Sequence, residues 1–245
     1  MWIIQPMMRL SYYPLINKMC SAMNLGELFS FARKHQELFV RPYITVARQP
    51  GSGGRIIAEK VAAKLKYEFI HKEIIEDIAA STKKRTAVIK AIEERGRSKI
   101  DDIIHSLFNE EYVDDYTYIK ELSMVQLAYM QKGHIVILGR AGNFISPPCR
   151  GLHVDIVAPF KHRVENTIKF EKLDASAAKE RVARVTLERE KFTQQYFKKD
   201  VWNPDYYDLT INTQCLNNDQ AANMIVEAFY QKFPAKERYS ALFQK

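Results

Sequence analysis

A glycine-rich stretch near residue 50 has the residue types and the setting of a phosphate-binding turn. It comprises Gly51, Ser52, Gly53 and Gly54, and is called the glycine loop below. An apolar, β-branched run at 42–47 precedes it, and apolar residues at helical spacing follow it between 57 and 65. Backbone N–H groups between a strand and a helix N-terminus converge on an anion, and the helix dipole adds positive charge. Arg48 and Arg55 flank the loop and could add charge-assisted bonds to phosphate oxygens.

The side chains of this region depart from the usual phosphate-binding pattern G-x-x-x-x-G-K-[ST]. The lysine position holds Gly54, or Arg55 if the loop is shifted by one, and the magnesium-binding hydroxyl is also missing. The end of the central strand, where a carboxylate often holds magnesium, is Leu138. A metal would rest on Asp155, Asp208, water and the nucleotide, and the sequence does not choose among them. The alternative interpretation of the loop is a plain tight turn.

Further cations follow other predicted elements. Arg140 comes directly after a strand predicted at 134–138, at the sheet edge where α/β proteins bind ligands, so it could hold a substrate phosphate or sugar. A structural arginine is the alternative. One long charged helical stretch carries Arg181, Arg184 and Arg189. Such arginines could neutralise a transferring phosphoryl group or form a solvated helix face. Lys72 could turn toward a phosphate or toward solvent.

The elements that must position these residues alternate between strand and helix. Apolar runs predict strands at 42–47, 67–70, 134–138, 152–157 and 207–212. Helices are predicted at 56–65, 72–80, 160–196 with a break near 173–174, and 219–233 with Asp219 as its cap. This alternation predicts an α/β fold, a parallel β-sheet flanked by helices. Residues 83–132 fit a mostly helical insertion.

Composition agrees with one such domain. Of the 245 residues, 47% are hydrophobic, which is enough for a sizeable core and excludes a disordered chain. We predict an N-terminal extension at 1–40, the domain at 41–235 and a C-terminal tail at 236–245. The net charge of +8 fits an anionic partner or a solvated basic surface. Nucleic acid is the weaker partner hypothesis, because basic and aromatic residues do not interleave on one element.

Other classes of protein find no support in the sequence. Three widely spaced cysteines and six scattered histidines predict neither a disulfide framework nor a zinc site. No apolar run approaches the length that spans a bilayer, and the N-terminus has no pattern of a signal peptide. We therefore expect a cytoplasmic protein. The oligomeric state is left open.

Four motifs occur in the order typical of one family. They are ITVARQPGSGGRIIA at 44–58, HKEII at 71–75, VILGRAG at 136–142 and a W-x-x-x-x-Y-D-L-x-x-N-T pattern at 202–213. Together they resemble the cytidylate-kinase-like family, a largely bacterial group of P-loop proteins related to nucleoside-monophosphate kinases. The resemblance runs from about 43 to 233.

The resemblance implies a P-loop NTPase fold with helical segments for binding the monophosphate and a lid at about 160–200. It implies a kinase that uses ATP with Mg²⁺ as phosphoryl donor and a nucleoside monophosphate such as CMP as acceptor. On this reading the glycine loop, Arg48 and Arg55 hold ATP phosphates, and Lys72 and Arg140 hold the acceptor. The three arginines of the 160–196 stretch close over the γ-phosphate. Departures from the family motifs, Ala47, His71 and Thr193, motivate the alternative of a non-catalytic nucleotide-binding or regulatory module.

Overall fold

The computed structural model describes residues 39–71, 73, 75, 116–147 and 149–234. Lys72, most of the helix predicted at 72–80 and the 83–115 part of the predicted insertion lie outside these ranges. Nearly all of the predicted extension at 1–40 and the whole tail at 236–245 lie outside them too. The predicted domain limits therefore stay predictions. No helix among the described residues is both long and apolar enough to cross a membrane.

Strands and helices alternate along the described chain. The strands are β1 (Tyr43–Arg48), β2 (Glu68–His71), β3 (Ile135–Leu138), β4 (Gly151–Val157) and β5 (Leu209–Asn212). The helices are α1 (Gly54–Leu65), α2 (Tyr116–Lys132), the short α3 (Gly142–Ile145), α4 (Phe160–Glu171), α5 (Ala175–Phe197) and α6 (Asn218–Lys232). A 3₁₀ turn at Pro204–Tyr206 precedes β5.

The five strands form one parallel sheet in the order β2-β3-β1-β4-β5. Ile44 of β1 lies beside Val136 of β3 on one side and Leu152 of β4 on the other. This arrangement confirms the predicted α/β fold, a parallel sheet flanked by helices. Because β1 is central, the turns after β1, β3 and β4 leave the sheet side by side at its carboxyl edge, where open α/β sheets bind ligands.

Helices cover both faces of the sheet. Ile44 and Val46 belong to a buried cluster with residues of α1 and α6 on one face. Tyr43 belongs to the cluster with α2 and α3 on the other face. Burial on both faces explains why the three inner strands, β1, β3 and β4, are largely apolar. Leu138, 1% exposed, lies in the α1–α6 cluster, so its side chain contributes to the core.

The ends of the later helices follow their capping residues. Asp174 caps α5 by accepting a hydrogen bond from the Ala177 N–H at 2.9 Å, which places the break between α4 and α5 where the sequence predicts it. The predicted cap of α6 was wrong. Asn217, not Asp219, accepts from the first-turn N–H groups, and Gln220 bonds back to the Asn217 N–H in a capping box. Two residues further on, Asp219 lies inside the helix and pairs with Lys60.

Candidate functional site

The glycine loop joins β1 to α1, as the sequence predicts. Gly51 and Gly53 have φ angles of 79° and 81°, in the left-handed region that glycine adopts without strain. A Cβ atom at Gly51 would lie 2.2 Å from the carbonyl oxygen of Arg163 in α4. The close approach of α4 therefore requires glycine at this position.

Hydrogen bonds from outside fix the carbonyl groups of the glycine loop. Asn166 Nδ2 donates to the Gly51 oxygen and Thr213 Oγ1 donates to the Ser52 oxygen, each at 2.9 Å. The Ser52 hydroxyl donates to the Gln49 oxygen at 2.8 Å. Gly53, the N-cap of α1, provides no side-chain bond to the first-turn N–H groups, which are the groups that bind anions at helix N-termini.

The side chain of Arg48 crosses the end of the sheet from β1 to the turn after β3. A Cβ atom at Gly54 would lie 2.5 Å from Arg48 Cβ and 2.9 Å from its Cγ. A Cβ atom at Gly139 would lie 2.1 Å from Arg48 Nη1. Arg48 therefore fills the space that a lysine at position 54 would enter, and it carries a cation toward β3 instead.

A cleft of about 280 Å³ lies at the carboxyl ends of β1 and β3, and α5 forms one of its walls. We call it the arginine cleft because four arginines line it: Arg48, Arg140, Arg181 and Arg189. Other polar or aromatic side chains in its lining are Thr45, Glu73, Asn143, Glu188, Phe192, Thr193 and Trp202. The structure thus brings together predicted site residues that are up to 141 positions apart in the chain.

Arg140 enters the arginine cleft from an unusual turn. Gly139, Arg140 and Ala141 have φ angles of 83°, 53° and 54°, so two non-glycine residues are left-handed in succession. This conformation costs energy and is concentrated at functional sites. The Arg140 guanidinium carbon lies 4.9 Å from the centre of the Phe192 ring of α5. Burial lowers the pKa of Arg140, and the charge of Glu73 opposes that shift.

Helix α5 brings two cations over the sheet. Arg189 donates a hydrogen bond to the carbonyl oxygen of Arg48, and Arg181 pairs with Glu171 at 3.1 Å. Burial and then the positive charges of Arg48 and Arg181 lower the pKa of Arg189 to about 9. Burial likewise lowers the pKa of Arg48 to about 10. These groups are therefore partly desolvated cations that repel one another.

Several predicted site residues lie outside the lining of the arginine cleft. The glycine loop lies beside the cleft, immediately after Arg48. Arg55 pairs with Glu59 at 3.1 Å, and its side chain is 57% exposed. Arg184 pairs with Glu188 at 2.5 Å and is 55% exposed. Their roles stay predictions, as does that of Lys72.

The carboxylates considered for magnesium do not form a metal site. Asp208 precedes β5 and accepts hydrogen bonds from the His153 N–H at 2.8 Å and Lys232 Nζ at 2.6 Å. Asp155, opposite Ala47 in the sheet, is 2% exposed, and its Oδ1 has no hydrogen-bond partner among the described residues. Within the described ranges, no three His, Cys, Asp or Glu side chains are grouped to hold a metal. These side chains do not fit a magnesium ion held by the protein alone, whereas in kinase sites nucleotide phosphates and water supply most of the ligands.

Sequence reasoning assigned no role to Glu73, Asn143, Phe192 or Trp202, which all line the arginine cleft. Trp202 Nε1 donates to Glu190 Oε1 at 2.7 Å, which ties the segment after α5 back to that helix. Two signals in the sequence were indirect, because Glu73 lies in the second motif and Trp202 opens the fourth. The others reach the cleft through tertiary packing that spacing along the chain does not reveal.

Two curated proteins are similar in sequence to this chain. A uronate isomerase from Corynebacterium glutamicum is 34% identical over 107 residues, which cover 42% of this chain and 20% of that protein. The chain thus spans about a fifth of that relative's length. A cytidylate kinase from Ignicoccus hospitalis is 23% identical over 74% of this chain and 95% of its own.

The fold also occurs in a solved structure. A crystal structure of a protein from Eubacterium ventriosum has a TM-score of 0.54 and 18% identity, over 76% of this chain and 97% of that one. This likeness concerns the fold alone. The sequence model of the cytidylate kinase-like family matches residues 43–215, a range that includes all five strands, the glycine loop and the described lining of the arginine cleft. The chain therefore belongs to the cytidylate kinase-like family.

Proposed function

We propose that this protein transfers the γ-phosphoryl group of ATP to a nucleoside monophosphate, with a CMP-like acceptor. The observation that carries this proposal is the arginine cleft, which gathers four cations at the carboxyl ends of β1 and β3 beside the glycine loop. Catalysis of phosphoryl transfer consists mainly of positioning and charge neutralisation, and both can be supplied by arginines. The matched cytidylate kinase supports the choice of acceptor.

The proposed roles follow from position. The glycine loop and the first turn of α1 hold ATP phosphates, with Arg48 beside them as the cation that replaces lysine. Arg140 holds the acceptor phosphate, and Arg181 and Arg189 neutralise the transferring group. An oxygen of the acceptor phosphate attacks the γ-phosphorus, the bond from that phosphorus to the β–γ bridging oxygen breaks, and ADP leaves.

The test is to incubate the protein with ATP, magnesium and each common nucleoside monophosphate, and to follow diphosphates by chromatography. We expect ADP and CDP to appear in equal amounts. Arg189→Met should lower kcat at least tenfold, whereas Lys179→Met removes one charge from an exposed position of the same helix and should leave it unchanged. Absence of any diphosphate product with every acceptor would end the kinase proposal.

A second candidate is a non-catalytic nucleotide-binding module. The observation that favours it is the pair Gly54 and Leu138, where kinases of this type use a lysine and a carboxylate. It predicts saturable binding of ATP or CMP by calorimetry with no turnover. Equal yields of ADP and CDP would exclude it.

A further inference from the structure

The acids of the arginine cleft are already engaged. Glu73 Oε2 accepts from His71 Nδ1 at 2.5 Å, and Glu188 Oε1 accepts from Arg184 Nη1 at 2.5 Å. The two glutamates come from separate elements, the segment after β2 and α5. Neither belongs to a group of three or more His, Cys, Asp or Glu side chains that could hold a metal, within the part of the chain described here. In kinase sites magnesium is usually held by one or two protein carboxylates together with nucleotide phosphates and water, and both acids of this cleft are already engaged by His71 and Arg184.

Cations outnumber anions in the same cleft. Four arginines face two glutamates there, and the cations come from β1, the turn after β3 and α5. Burial and neighbouring arginines lower the pKa values of Arg48 and Arg189, and Glu73 and Glu188 offset these shifts only in part, so both charged forms are held at a cost. A ligand with many negative charges would relieve that repulsion.

We propose that the arginine cleft binds nucleotide phosphates as the metal-free polyanion, with arginines supplying the countercharge that magnesium supplies elsewhere. This inference rests on the proposed function and concerns the ionic form of the nucleotide that the same site recognises. Magnesium cancels two negative charges of ATP and occupies phosphate oxygens that arginine forks could otherwise bind. Free ATP should therefore bind more tightly than its magnesium complex.

Trp202 provides the measurement, because it lines the cleft. The other tryptophan, Trp2, is replaced by phenylalanine so that emission reports on Trp202 alone. The full chain is titrated with ATP in EDTA and with ATP in excess magnesium, at one fixed ionic strength so that screening is equal. Calorimetry under both conditions checks the dissociation constants independently of fluorescence. We expect free ATP to bind about tenfold more tightly, and tripolyphosphate with EDTA to compete with it.

Three variants and one control test whether the arginines cause the preference. Arg48→Met and Arg189→Met should each weaken binding of free ATP more than binding of the magnesium complex, which brings the ratio of the two constants toward one. Lys179→Met should keep the ratio of the parent protein. Gly139→Ala displaces the Arg48 guanidinium without deleting it and should also lower the ratio. Urea unfolding of each variant confirms that the fold is retained.

The outcomes separate this inference from the proposed function. If the magnesium complex binds more tightly than free ATP, the metal-free inference is wrong while the kinase proposal stands. If the arginine variants keep the parent protein's ratio of the two dissociation constants, the metal-free inference is also wrong. If neither form of ATP binds, both proposals fail.

Discussion

Arg48 and Gly54 form a pair whose residue types depend on each other. The side chain of Arg48 runs over Gly54, and a Cβ atom there would lie 2.5 Å from Arg48 Cβ. Restoring the usual lysine by Gly54→Lys should therefore fail to improve nucleotide binding. We expect it to destabilise the fold by about 1–3 kcal/mol through overpacking, and to weaken ATP binding by displacing the Arg48 guanidinium.

A double variant tests this interdependence. Arg48→Ala combined with Gly54→Lys removes the obstruction and leaves one cation near the loop. Stability from urea unfolding and ATP affinity from calorimetry should both recover relative to Gly54→Lys alone, as positive coupling in a double-mutant cycle. Additive effects of the two substitutions would show that the side chains do not compete for the same space.

Arg140 illustrates a position where charge alone is insufficient. Its guanidinium lies over the Phe192 ring and is directed by a left-handed turn, a geometry that suits a planar fork. We expect Arg140→Lys to raise KM for the acceptor about tenfold, because the bidentate contact with phosphate is lost. Phe192→Leu keeps the guanidinium and should have a smaller effect. Unchanged KM with reduced kcat in Arg140→Lys would assign this residue to the transferring group instead.

The N-terminus of α6 shows how a capping side chain decides where a helix begins. Asn217 accepts from the N–H groups of Asp219 and Gln220 at 3.0 and 2.9 Å. We expect Asn217→Ala to lower the free energy of unfolding by about 1 kcal/mol, because two first-turn donors lose their acceptor. Asp219→Ala removes only an exposed ion pair and should have a smaller effect in the same urea titration. A larger loss for Asp219→Ala would restore that residue as the main determinant of the helix start.

The order of strands and helices was predictable because both faces of the sheet are covered. Burial on two sides gives continuous apolar runs, and the intervening helices have apolar residues at helical spacing. The choice between Asn217 and Asp219 was not predictable from spacing, because either residue type can cap a helix. The strand order β2-β3-β1-β4-β5 was not derivable from local pattern either, since it depends on which distant strands pair.

The candidate site likewise contains some residues that were predictable from the sequence and others that were not. Arg48, Arg140, Arg181 and Arg189 were predicted because each adjoins a recognisable element, and the structure brings these four into one cleft. Glu73, Phe192 and Trp202 were assigned no role, since neither residue type nor spacing shows which side chains tertiary packing carries to the cleft. Arg184 is less than one helical turn from Arg181, yet it is not part of the cleft lining and pairs with Glu188, which is. Sequence spacing could not decide which face of α5 is turned inward.

The stability of the entire domain should reflect two groups on β4, the buried Asp155 and the half-buried His153, whose pKa values are shifted in opposite directions. Burial raises the pKa of Asp155 from 3.8 to about 7, although the Ile156 N–H and Arg189 oppose the shift. Burial lowers the pKa of His153 from 6.5 to about 4, with Asp208 opposing and Lys232 reinforcing it. Stability from Asp155 is present below pH 3.8 and is lost as the pH rises through about 7. Stability from His153 is present above pH 6.5 and is lost as the pH falls through about 4.

Between about pH 4 and 6.5 Asp155 lowers the free energy of unfolding as the pH rises, whereas His153 raises it. Together these two groups should therefore change the stability of the parent protein little over this range.

The substitution Asp155→Asn removes the contribution of Asp155 to this pH dependence. Its stability relative to the parent should increase from pH 5 to pH 8 by about 3 kcal/mol, because about two pH units of the Asp155 slope lie between pH 5 and its pKa of about 7. The variant should also lose stability on acidification below pH 6.5, the slope that His153 alone produces. Urea titrations at pH 5, 6.5 and 8 measure both effects, and His153→Gln should show the reverse slope. A difference between Asp155→Asn and the parent that is the same at all three pH values would contradict the raised pKa of Asp155.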